Sequence, residues 1–138
     1  MTNTVFKKVK DNAKGYADSS SLNNTTDPVT FSATSYGFKF PSNGSFWITV
    51  YNDVSYSSPD DDLNMEKMLV TSRTLDSFTA SRGQLGTTAV AHTGTPVITL
   101  LMLAQHLDDI TTAVNTLETI SGNGITESTA IAYSLALS

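Results

Sequence analysis

The sequence predicts a mainly β fold, a small β-sandwich or partly closed barrel, with one long helix near the C-terminus and an extended N-terminal arm. Three observations lead there. Apolar and polar residues alternate along several short runs, as on strands with one buried face, with Val29, Phe31 and Ala33 in the first and Met68 and Val70 in a later one. One stretch, residues 103–120, changes to helical spacing. Residues 1–28 are first basic, then polar, with few positions fit for a core. At 138 residues, 39% hydrophobic and 15% charged, the chain suits one domain with a modest core and a surface rich in hydroxyl groups.

Taken in order, the elements divide into an arm (1–28), a β domain with its helix (29–120) and a tail (121–138). The arm carries Lys7, Lys8, Lys10 and Lys14 against Asp11, half of the 8 basic residues in a chain of net charge −5. Val5, Val9 and Ala13 fall four apart and Gly15 follows, which predicts a short helix over 5–14. Residues 15–28 read as loop or extended arm, so the arm should be dispensable for folding. The best strand is 45–52, with Phe46, Ile48 and Val50 on one side and Trp47, Thr49 and Tyr51 on the other. A hairpin follows, turning at 73–76, and Gly83 and Gly86 open a long loop up to residue 95 in which positive backbone φ is expected. Residues 96–101 give another strand. In the tail, a turn at Gly122 and Gly124 precedes Ile131, Tyr133, Leu135 and Leu137, a terminal strand pattern.

The helix carries a narrow stripe. Leu100, Leu103, Leu107, Ile110, Val114 and Leu117 are spaced 3, 4, 3, 4 and 3, the a/d seam of a heptad repeat. Two destinations fit it: the protein's own sheet, or copies of the same helix around an axis.

Chemistry is sparse. The chain has no cysteine, so no disulfide or thiolate metal site can form. His92 and His106 are the only histidines, and neither sits in a metal-protease, nucleophile-elbow, P-loop or dinucleotide motif. His92 reads as a loop-packing residue bonded to backbone, and Glu66 and Glu118 as exposed single positions. Asp60, Asp61 and Asp62 lack the alternating spacing of a calcium loop and read as a solvated tip. The expectation is no enzyme, no cofactor and no metal. Four lysines without arginines or spaced aromatics point to a docking or solvated face, not to nucleic acid. No apolar run has signal-peptide or membrane-spanning length, so a soluble, unprocessed chain is expected. A separate possibility is a sugar-binding platform made of Trp47, Tyr51 and Tyr56.

The run from Arg82 to His92, RGQLGTTAVAH, with MLVTSR and LDSFTAS before it, resembles a β-rich module of tailed-bacteriophage virion proteins that often lies at the base of tail fibres. The likeness covers roughly residues 29–118 and marks a structural module, with Arg82, Gly83, Gln84, Gly86, Thr87, Thr88 and His92 as the loop it shares. Leu85 replaces an acidic residue common in that pattern, and Leu103 stands where a threonine usually caps the helix. Residues 53–64 look like an insertion between strands that the module joins more tightly. The resemblance implies a non-enzymatic accessory subunit of the virion, assembled in the host cytoplasm. The implied state is a homo-oligomer, with a trimer as its form, and other virion proteins of tail, neck or capsid are its partners. A tail-fibre base or adaptor is the role implied, and capsid decoration is the alternative.

Overall fold

In a computed structural model, residues 6–10, 13–101 and 103–120 are described, and they divide into a β unit, Lys7–Met102, and a second unit that holds the helix. The β unit is one antiparallel sheet curled into a half-barrel. Its strands are β1 (Lys14–Tyr16), β2 (Val29–Ser32), β3 (Phe46–Tyr51), β4 (Glu66–Thr74), β5 (Ser77–Gln84) and β6 (Val97–Thr99), in the order β1-β6-β3-β4-β5-β2. The mainly β expectation therefore holds, as a curled sheet.

The curl has a local origin. Pairing between β4 and β5 shifts register between Lys67 and Leu69 and again between Val70 and Ser72, and such irregularities bend and twist a strand pair. The bend gathers the inward residues Phe31, Phe46, Ile48, Val50, Met68, Val70, Phe78, Ala80 and Ile98 into one core. Phe78 lies at its middle, stacked on Phe31 with centroids 5.1 Å apart and edge-on to Phe40 at 5.3 Å. Phe40 arrives from a short 3-10 turn at Gly37–Lys39, which is anchored by Asp76 accepting the Gly37 N–H at 2.9 Å. The hairpin turn occupies only Leu75 and Asp76, with Leu75 at φ +53°. All six residues of β3 are buried, so Trp47 and Tyr51, 6% and 7% exposed, form no open platform for a sugar.

The N-terminal region departs from expectation. No helix covers its described residues: Lys7–Lys10 have no regular structure, and Lys14–Tyr16 is a strand paired with β6 at the sheet edge. Ala13, Ala17 and Leu22 belong to the core, and the Ala17 and Asp18 N–H groups bond to Pro96 and Ser32 carbonyls at 3.0 and 2.8 Å. Residues 13–28 are thus part of the β unit. The four-residue spacing of Val5, Val9 and Ala13 misled because a three-residue strand is too short to show its own period. Gly15 serves close approach, not helix termination: a Cβ there would lie 2.6 Å from Tyr36 Cβ. The segment at 53–64 also differs from a solvated tip. Asp60 and Asp61 are exposed, but Asp62 is buried and closes the loop by accepting the Asn52 and Asn64 N–H groups at 2.9 and 2.8 Å.

The helix, α1, spans Ala104–Ile120. The side-chain cap that Leu103 cannot supply comes from the next turn, where His106 Nδ1 accepts the Leu103 N–H at 2.9 Å. The predicted strand at 131–137 and the turn at Gly122–Gly124 lie outside the described residues.

These placements reverse the expectation for the arm. A chain starting at Val29 loses β1 and three core side chains, and it should fail to fold, without the β circular-dichroism signal of the full chain. Leu22→Ala alone should lower unfolding free energy by about 2–4 kcal/mol in urea titration.

Candidate functional site: a buried ion pair beneath the glycine loop

The site grows from strand parity. On β4, Glu66 shares its face with Met68 and Val70, and on β5, Arg82 shares its face with Phe78 and Ala80. Both are long charged side chains at inward positions near the same end of the hairpin. Inside an apolar half-barrel they must find each other or destabilise the fold. They meet as a fork: Arg82 Nη2 donates to Glu66 Oε1 at 2.8 Å and Arg82 Nε to Oε2 at 3.0 Å, with both side chains 0% exposed.

The loop is folded around this pair. Glu66 Oε2 also accepts the Gly83 N–H at 3.0 Å, and Oε1 accepts the Val90 N–H and meets His92 Nε2, each at 3.1 Å. Two further guanidinium N–H groups go to the carbonyls of Asn24 and, at 2.6 Å, Val90, and the Arg82 backbone N–H goes to Asp27 at 2.9 Å. One ion pair thereby ties two strands to residues 24–27 and to the loop at 90–92. The His92 N–H adds a bond to the Leu22 carbonyl at 2.8 Å. Its ring bonds the Glu66 carboxylate, where the sequence suggested backbone, and Glu66 is wholly buried where it suggested exposure.

Electrostatics follow the donors. Burial by itself raises the Glu66 pKa, but the bonds from His92, Arg82 and the Val90 and Gly83 N–H groups outweigh it and hold the carboxyl at about 2. Glu66 is a permanent anion at neutral pH, with every lone pair directed at a donor of its own chain.

Of the predicted loop residues, Arg82, Gly83 and His92 converge on Glu66. Gln84 and Thr87 close the tight turn: the Thr87 N–H and hydroxyl both donate to the Gln84 carbonyl, at 3.0 and 2.7 Å, and Thr87 Oγ1 accepts the Lys67 N–H at 3.0 Å. Leu85 and Gly86 form its tip at φ +52° and +82°, and Thr88 is exposed. Gly83 has φ +57°, and a Cβ there would stand 3.0 Å from the Ala89 nitrogen, whereas Gly86 faces open space. Three members were not foreseen: Glu66, Asn24 and Asp27. Glu66 was legible, because its parity with Met68 and Val70 marks an inward carboxylate. Asn24 and Asp27 act through loop geometry that no periodicity encodes.

The lysines of the arm are spread out. Lys10 Nζ donates to the Phe38 carbonyl at 2.7 Å, Lys14 lies on β1 at 3.9 Å from Asp53, Lys8 is exposed and Lys7 half-buried. No group of three or more potential metal ligands occurs among the described residues. No described helix is long and apolar enough to cross a membrane. Comparison with protein-family profiles and with curated proteins finds no match to the chain.

Two outcomes test the site. Arg82→Met strands a buried carboxylate and should cost about 3–5 kcal/mol, while the paired change Glu66→Leu with Arg82→Met should recover much of that loss in chemical denaturation. Acid supplies the second. The folded pKa of Glu66 lies below its ordinary 4.5, so the stabilisation is complete above that value and is lost as pH falls toward about 2. It amounts to about 3 kcal/mol, and Glu66→Gln should flatten this part of the stability–pH curve.

Proposed function

We propose that this chain is a non-enzymatic structural subunit of a tailed-bacteriophage particle, an adaptor at the base of a tail fibre. Its partners are other virion proteins and further copies of itself. The observation that carries this reading is the state of the loop from Arg82 to His92. Its chemically capable groups are spent on internal bonds: the guanidinium on Glu66 and backbone carbonyls, the imidazole Nε2 on the same carboxylate, and the Gly83 N–H on it as well. A loop wired in this way holds a shape and presents it, which is the task of a scaffold. The likeness of RGQLGTTAVAH to the phage module gives the setting. The basic Lys8 and Lys10 lie at the start of a chain of net charge −5, which gives that end a distinct surface for an acidic neighbour.

Localisation on purified particles tests the proposal. Antibody-gold labelling or cryo-electron density should place several copies at the tail, and particles grown without the protein should lack fibres. Density spread over the head would replace the tail role with capsid decoration. Absence from purified particles would overturn the structural reading.

A further inference from the structure

The helix carries an apolar stripe that is open to solvent in the single chain. Leu107, Ile110, Val114 and Leu117 are 58%, 49%, 46% and 63% exposed, although their side chains are of the kind that folding normally hides. They recur at spacings of 3, 4 and 3, the a and d positions of one heptad seam, whereas Leu100 and Leu103, expected in the same seam, are each 8% exposed and Leu100 belongs to the β core.

Charge narrows what can cover them. α1 contains no lysine or arginine; its charges are Asp108, Asp109 and Glu118. A helix that lies on a membrane surface needs a basic polar face, and one that approaches nucleic acid needs basic groups too, so both are poor occupants. Around the seam, the e and g positions hold Ala104, His106, Thr111, Ala113, Glu118 and Ile120, and the two aspartates fall at b and c, turned away from it. A copy of the same helix therefore meets apolar layers flanked by small or uncharged residues, with Glu118 the single carboxylate at the margin. Through Leu117 the large apolar side chains take two positions per heptad, narrower than the stripe a helix lays on a sheet, and Ile120 adds a third only in the last turn.

We infer that α1 is the self-association surface of this protein, with Leu107, Ile110, Val114 and Leu117 packed against the same residues of further copies. The inference rests on the homo-oligomeric part of the reading above and assigns it a surface. At 17 residues α1 is about 25 Å long. That is too short for a stable coiled coil alone, so the assembly is weak and concentration-dependent and gains from whatever else the copies share.

Sedimentation velocity on the full chain, from about 1 to 100 µM, reads it. The wild type should move from monomer to a defined oligomer within that range. Ile110→Asp and Val114→Asp should keep it monomeric with the β circular-dichroism signal intact, and Thr112→Asp, at an outer f position, should associate like the wild type. Because the chain has no cysteine, Ile110→Cys with a short bismaleimide gives a second reading. It should cross-link efficiently, and Thr112→Cys should not. A wild type that is monomeric throughout, or equal cross-linking at both positions, overturns the inference. So do aspartate variants that associate normally, or that unfold, since the stripe would then serve the interior of a single chain. The particle reading is tested separately, because a protein monomeric in solution can still be found at the tail.

Discussion

A bidentate ion pair with no exposed surface sets the form of the β unit. Moving a carboxylate and a guanidinium out of water costs several kcal/mol each, and mutual attraction offsets that only when the other donors and acceptors are also matched. Glu66 and Arg82 meet this condition because the chain brings N–H groups and carbonyls to them from three directions. The pair therefore fixes the course of the backbone: residues 24–27 and 83–92 lie where they do because a buried charge must be satisfied. Arginine suits the position better than lysine, since its planar fork serves both carboxylate oxygens and still has donors left for Asn24 and Val90.

This also explains why Gly83 is glycine. Its N–H must face Glu66 Oε2 while the chain turns back toward Ala89, and that course places it at φ +57° with backbone 3.0 Å from where a side chain would start. Gly86 has a positive φ for a simpler reason, as the second tip residue of a tight turn after Leu85. Two glycines that look alike in sequence thus carry different constraints. One is packed against the loop and the other only bent.

How far the fold could be read depended on element length. β3, β4 and β5 are six to nine residues long and announce themselves by alternation, and so does β2 through Val29 and Phe31. α1 was legible from its heptad spacing to within a residue of its start. β1 was not, because a strand made of Lys14, Gly15 and Tyr16 contains no pattern, and its place comes from β6 offering an edge. Asp62 was hidden by its neighbours: three aspartates in a row look solvated, and which of them turns inward depends on where Asn52 and Asn64 present their N–H groups. In the site, Arg82, Gly83 and His92 were singled out by the motif, while their common partner was passed over as an exposed acid.

The two units handle water in opposite ways. The β unit satisfies its buried charges internally: Glu66, Arg82 and His92 bond one another, Asp62 accepts backbone N–H groups, and the core phenylalanines are enclosed. α1 takes the other course, spending its polar residues on local bonds such as Gln105 to Asp109 at 2.8 Å and Thr116 to the Thr112 carbonyl at 2.8 Å, and leaving its leucines uncovered. An isolated helix of this length, with several threonines and no cross-turn ion pairs to support it, has little stability of its own. The β unit thus completes its own core, whereas α1 leaves its apolar stripe exposed, so the two units meet the demands of burial to different degrees.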